Sequence, residues 1–161
     1  MAFDVFVKID GIEGESSDDS YMGWIEVLEY GLGVAQKASR TPSSAGGFSV
    51  GRANFTEFTF RKQLDLASPT IALACADGTH IDSVTIVVCR AGKDKVKFME
   101  YQLAGCMISE VLTMGGGAFP SETISITFAK IAWTYSQQKR QGGWAAGNYS
   151  AGWNLQKNCR V

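Results

Sequence analysis

Apolar and polar residues alternate along much of this chain, and this pattern restricts its fold more than any other feature. From Phe3 to Asp10 the odd-numbered positions are all apolar, as in a strand with one buried face. In the run from Glu122 to Tyr135 the alternation changes phase near Ala129–Lys130, which predicts a β-bulge. Runs rich in branched and aromatic residues predict further strands at Trp24–Tyr30, Asn54–Lys62, Val84–Arg90, Val96–Tyr101 and Leu103–Val111.

One short helix is predicted at about residues 68–77. Ser68 is a favoured N-cap residue, Pro69 suits the first helical position, and Gly78 stands where helices commonly end. The apolar residues that share one face of this helix, and would pack on the sheet, are Ile71, Ala74 and Cys75.

The strands and the helix together predict a mainly β fold, a small antiparallel β-barrel or sandwich with one short α-helix. The length of 161 residues suits a single domain over residues 1–161. Charged residues make up 19% of the chain, against a usual share of about 25%. Something other than charge must therefore cover part of the surface, and a protein partner is the simplest candidate.

Charge and hydropathy exclude several classes of function. The net charge is −1, and no cluster of cations is longer than Lys139–Arg140, so we expect no binding to nucleic acid. The N-terminal residues lack the features of a signal peptide, and no apolar run is long enough to span a membrane. We therefore expect folding in the cytoplasm without membrane insertion.

Three segments are predicted to be loops. Residues from Ala35 to Gly51 are rich in Ser and Gly, and a loop beyond about 12–15 residues in a small domain is commonly functional or disordered. Met114–Ala118 is a second flexible loop. The Gly-rich tail at 137–151, which contains Trp144, is either disordered or ordered against a neighbouring subunit.

The residues that carry enzyme chemistry are scarce. His80 is the only histidine, and a catalytic pair would have to join it to Cys75, Asp77 or Asp82. Because His80 directly follows the predicted helix, a capping or surface role is the stronger interpretation. We expect no enzyme activity and no catalytic residues.

The sequence also predicts no cofactor and no metal site. The cysteines are far apart in sequence and are expected to be free thiols, with Cys75, Cys89 and Cys106 as small buried groups. The carboxylates Glu13, Glu15 and Asp18-Asp19 fit a solvated acidic turn better than a calcium site. Gly115–Gly117 lacks the Lys-Ser/Thr of a phosphate loop. Trp24 and Trp133 lie in strand patterns and are expected in the core rather than on a sugar-binding face.

Taken in order, several motifs resemble one known family. They are AFDVFVKIDGIEGES, WIEVL, FTFRKQLDLASP, ACADGTH, CRAG, PSETISITFAKIAWTY and the final pair Gly152-Trp153. Each is weak alone, but their order and spacing over about 150 residues are specific. The chain resembles the Hcp family, the haemolysin-coregulated tube proteins of bacterial type VI secretion systems.

The resemblance implies a small β-barrel that assembles as a homo-hexameric ring, with rings stacking head to tail into a tube. It implies export through the type VI machine without a signal peptide, contacts with spike, sheath and baseplate components, and small effectors carried in the lumen. It implies no catalytic residues or cofactors. The family's ring-stacking loop maps by position to Ser39–Arg52, which gives as candidate stacking residues Ser39, Arg40, Gly46, Gly47, Phe48, Val50 and Arg52.

Two other interpretations remain. A ligand-binding β-barrel or sandwich module, such as one for carbohydrate, predicts a monomer with an apolar or aromatic pocket, whereas the tube predicts a ring. An esterase-like enzyme would depend on His80 alone.

Overall fold

A computed structural model of the chain describes residues 2–37, 51–138 and 145–161. All strand pairings within these residues are antiparallel. The elements in chain order are β1 Phe3–Ile9, β2 Ile25–Val27, β3 Glu29–Gly31, β4 Val34–Ala35, β5 Asn54–Phe55, β6 Phe58–Gln63, α1 Ser68–Asp77, β7 His80–Arg90, β8 Lys97–Gly116, β9 Ala118–Thr127, β10 Lys130–Gln138, β11 Ala145–Asn154 and β12 Cys159–Arg160.

The sheet closes on itself as a barrel because one predicted strand divides between two partners. Within the predicted strand Trp24–Tyr30, β2 pairs with β1, whereas β3 pairs with β6. Between them the backbone N–H of Leu28 donates to the carbonyl of Arg61 at 2.8 Å. The path continues from β6 to β9, β8, β7 and back to β1, which confirms the mainly antiparallel β fold with one short helix.

The long strand β8 joins the barrel to a lateral extension. The predicted strands Val96–Tyr101 and Leu103–Val111 form one continuous element, β8, which pairs with β7 over residues 97–107. Its first half also pairs with β10, and its second half pairs with β9. Beyond β10 the sheet continues through β11 to β12. Residues 145–151 of the Gly-rich tail are thus ordered against β10 of their own chain, so both interpretations of the tail were wrong for these residues.

The core lies inside the barrel and follows the alternation. Val5, Val7 and Ile9 of β1 are at most 3% exposed and belong to one apolar cluster. Ile71 and Ala74 of α1 join the same cluster, and Cys75 packs against it half-buried, which confirms the predicted helix face. Trp133 also packs against the core, whereas Trp24 packs on Tyr21 at a ring separation of 5.1 Å.

The helix has the predicted bounds but a different start. Gly78 ends it with a φ of 67°, as expected. The N-cap residue is Ala67 rather than Ser68, and no side chain caps the helix there. The prediction of a Ser68 cap was wrong because its hydroxyl is hydrogen-bonded to the buried carboxylate of Glu122 instead, at 2.7 Å.

Two other predictions need correction. Met114–Ala118 is not an independent loop but the tip of the β8–β9 hairpin, where Gly116 pairs with Ala118 and Gly117 turns the chain with a φ of 69°. The phase break at Ala129–Lys130 is the gap between β9 and β10 rather than a bulge. There the Ala129 N–H donates to the Ala104 carbonyl at 2.9 Å, as the chain crosses to the first half of β8.

Candidate functional site

His80 is a surface residue at the start of β7. Its side chain is 68% exposed, and its Nε2 lies 3.4 Å from Oδ1 of Asp82, which is itself exposed. The end of α1 is closed by backbone N–H groups of Gly78 and Thr79, which bond the Ala74 carbonyl. The surface interpretation of His80 therefore holds, and the capping interpretation was wrong.

The thiols and carboxylates do not converge in the part of the chain that the structure describes. No group of three or more His, Cys, Asp or Glu side chains among those residues is placed to hold a metal ion. All four cysteines are free, with Cys89 and Cys106 buried, Cys75 half-buried and Cys159 exposed. Burial raises the pKa of the Cys106 thiol to about 11.

A covering segment, residues 13–24, lies over the outer face of β1 and β7; we call it the outer flap. Phe6 belongs to the polar half of the alternation in β1, yet it is only 3% exposed because Tyr21 stacks on it at 4.6 Å. Cys89 donates to the Tyr21 hydroxyl at 3.3 Å. Burial raises the pKa of both groups above their ordinary values. A second, smaller core thus forms outside the barrel.

Lys95 fastens the outer flap to the turn between β7 and β8. Its ammonium group contacts the carboxylates of Asp4, at 3.1 Å, and Asp18, and lies 4.8 Å from the ring centre of Phe6. Hydrogen bonding to Lys95 is the main cause of the lowered pKa of Asp18. Asp18 therefore helps to hold the outer flap through its ion pair with Lys95.

A buried ionic network, which the sequence analysis missed, joins β6, β9 and α1. The Lys62 side chain is fully buried, and its ammonium group contacts Glu122 at 2.5 Å, Asp65 at 2.6 Å and the Ser68 hydroxyl at 3.0 Å. The alternation held a signal for it, because Lys62 is in phase with the buried residues Phe58 and Phe60. Such a charge is tolerated inside only when it is paired.

The candidate ring-stacking loop starts and ends on a small two-stranded stalk formed by β4 and β5. Val34 pairs with Phe55, and the Gln36 side chain donates to the Gly51 carbonyl at 2.5 Å. Arg52 donates from Nη2 to the Leu155 carbonyl of its own chain at 2.5 Å, so it anchors the stalk to the C-terminal segment. The other candidate stacking residues lie outside the described residues: Ser39, Arg40, Gly46, Gly47, Phe48 and Val50.

Among the exposed large apolar side chains, two groups lie in separate regions of the fold. The β8–β9 hairpin presents Leu112, Met114 and Phe119, each more than half exposed. On the lateral sheet, Tyr135 of β10 and Tyr149 of β11 face each other and are 47% and 66% exposed. Exposed apolar surface of this kind marks sites of protein contact.

In the described ranges, no helix is both long and apolar enough to cross a membrane.

Comparison with known proteins agrees with this arrangement. Residues 6–135 match the family model described as "Type VI secretion system effector, Hcp". The chain is 30% identical to protein hcp1 of Pseudomonas aeruginosa, with 100% of both chains covered. A solved type six secretion system protein superimposes with a TM-score of 0.91 at 30% identity, over 99% of this chain and 100% of the other. Hcp1 from Salmonella typhimurium gives a TM-score of 0.82 at 29% identity, with both chains covered completely.

The family match, together with the likeness of the whole barrel and lateral sheet to a solved type six secretion system protein, defines a structural protein of type VI secretion. The chain belongs to the Hcp family.

Proposed function

We propose that this chain is the subunit of a hexameric ring, that rings stack head to tail into a tube, and that the type VI machine exports them. The observation that carries the proposal is the presence of two different exposed apolar regions, the β8–β9 hairpin and the lateral sheet. A head-to-tail ring requires two unlike surfaces on each subunit, because the contact is not self-complementary.

The edge of the lateral sheet supports the same proposal. β11 pairs with β10 along its length, whereas β12 covers its other side only at Trp153 and Asn154. Within the described residues, the N-terminal part of that edge has no strand beside it. An uncovered edge favours pairing with another chain, and a neighbouring subunit would satisfy its backbone groups.

We further propose that Ser39–Arg52 is the ring-to-ring contact. The stalk supports this role because β4 and β5 fix both ends of the segment on the barrel. Phe48 and Val50 would supply apolar contacts, and Arg40 would donate to the facing ring. Arg52 has a bond within its own chain, so its part is to orient the stalk.

The remaining parts of the proposal follow from family membership. The chain folds in the cytoplasm, meets spike, sheath and baseplate components during assembly, and is then secreted. Small effector proteins travel in the lumen of the ring. The proposal assigns no nucleic acid, membrane or cofactor to the chain.

Native mass tests the ring. Light scattering of the full chain at micromolar concentration should give about six times the subunit mass of 17.4 kDa, in both low and high salt. A monomer under these conditions would contradict the ring and favour the ligand-binding module.

Deletion of residues 43–47 tests the stacking segment. Because closure entropy depends weakly on loop length, the barrel and ring should persist. Electron microscopy should show single rings and no tubes. Normal tubes from the deleted chain would refute the stacking assignment while leaving the ring proposal intact.

A further inference from the structure

A groove of about 320 Å³ lies at the seam where the barrel closes; we call it the seam groove. It exists because the pairing of β1 with β2 stops at Val5–Val27, after which Leu28 crosses to Arg61 on β6. Within the described residues, the first two residues of β1, Phe3 and Asp4, then pair only with β7. The departing strand leaves a gap that the barrel does not fill.

Three large, accessible apolar side chains lie among the mostly polar walls of the seam groove. Phe3 of β1, Leu28 at the strand crossing and Phe119 of the β8–β9 hairpin all line it. Their exposed fractions are 55%, 52% and 64%, although each is a large apolar side chain. Burying such side chains against a partner gains about 25 cal/mol for each Å² removed from water.

The rim of the seam groove is negatively charged. Glu15 and Glu26 line it, and both are exposed. Neither carboxylate forms an ion pair within the described residues, whereas Asp4 is paired with Lys95 and Asp65 with Lys62. The groove therefore offers two free carboxylates beside exposed aromatic rings.

We propose that the seam groove docks an extended segment of a partner protein that carries lysine or arginine next to an aromatic or aliphatic side chain. The cation would pair with Glu15 and Glu26, and the apolar side chain would lie between Phe3 and Leu28. Large apolar side chains beside polar and charged groups are usual at protein docking sites. Positive charge near the two phenyl rings is favourable as well.

The probe for the test is a fluorescein-labelled hexapeptide of alternating lysine and phenylalanine. Its matched control replaces every lysine with glutamate. Fluorescence polarisation with the full chain should show saturable binding of the lysine peptide that weakens as salt is raised, and no saturable binding of the glutamate peptide.

Two variants locate the binding. Glu15→Gln with Glu26→Gln should raise the Kd about 2- to 30-fold, as expected for two partly exposed ion pairs. Phe3→Ala, at a groove residue outside the β8–β9 hairpin, should weaken binding independently of salt. Glu57→Gln, an exposed carboxylate outside the groove, is the matched control and should leave the Kd unchanged.

Three results would overturn the proposal. One is equal binding of the two peptides, and another is an unchanged Kd in both groove variants. The third is a fall in native mass of the doubly substituted chain, since this would make the seam groove a contact between copies. The substitutions at Glu15, Glu26 and Phe3 lie outside the hairpin and lateral-sheet side chains assigned to the ring, so binding at the groove is tested separately from ring formation.

Discussion

The ammonium group of Lys62 lies 2.5 Å from Oε1 of Glu122, and both side chains are almost completely buried. The pair joins β6 to β9 across the barrel wall, where Lys62 and Glu122 are also backbone partners. Through Ser68 the same network reaches the start of α1. Cross-strand pairing and helix docking thus depend on one buried cation.

Replacing that cation should destabilise the fold strongly. Lys62→Met leaves the carboxylates of Asp65 and Glu122 buried without their partner, and we expect a loss of about 3–5 kcal/mol in the free energy of unfolding. Urea denaturation at fixed protein concentration measures it. The neighbouring Arg61→Met is the control, because its ion pair with Glu29 is exposed and contributes about 0–1 kcal/mol. Equal losses in the two variants would contradict the structural role of the network.

The outer flap should loosen when Asp18 loses its charge. Asp18→Asn removes the ion pair with Lys95, so hydrogen exchange in residues 13–24 should accelerate at pH 7. The exposed neighbour Asp19 forms no ion pair among the described residues, and Asp19→Asn should leave exchange unchanged. Matching exchange rates in the two variants would show that Lys95 does not fasten the flap.

Acid should also loosen the outer flap of the unaltered chain, because it removes the charge of Asp18. The pKa of Asp18 is lowered in the folded state. Its contribution to the stability of the fold is therefore present above the ordinary pKa of 3.8 and is lost as the pH falls through the lower native pKa. The emission of Trp24, which packs on Tyr21 in the flap, should therefore change below about pH 3.8 in the unaltered chain. The same transition in Asp18→Asn would contradict this assignment.

The four thiols should differ sharply in reactivity. Cys159 is exposed and should react first with a thiol reagent at pH 8, followed by the half-buried Cys75. Cys106 should stay protected until unfolding, because it is buried and its pKa is raised to about 11. Cys89 should be protected for the same physical reason. Peptide mapping after brief labelling identifies the sites, and early modification of Cys106 would show that the barrel opens readily.

Replacing Gly14 with alanine should destabilise the outer flap, because the space that a side chain would need is already filled. A Cβ at this position would lie 2.4 Å from the carbonyl oxygen of Trp24, and the obstructing atom is backbone. Gly14→Ala should lower stability by about 1–3 kcal/mol, as overpacking does. Gly31→Ala is the control, because a Cβ at Gly31 would meet no atom within 4 Å. Thermal unfolding of the two variants compares them, and equal midpoints would mean that the flap can shift away.

The sequence by itself determined which residues share a face and where the helix lies. Alternation identified Val5, Val7 and Ile9 as one buried face, and Gly78 marked the helix end, because strand and helix periods and terminating glycines are local properties. The resemblance of the motifs to the Hcp family was confirmed by the family match.

Tertiary structure decided what covers the other faces. Phe6 is buried by a flap segment some fifteen residues further along the chain, and Lys62 is buried because Glu122 arrives from another strand. The division of Trp24–Tyr30 between β1 and β6 is equally non-local. Side chains alternate between the two faces of a strand, so the sequence pattern shows which residues share a face. What packs against each face is set by contacts between residues that are distant in sequence.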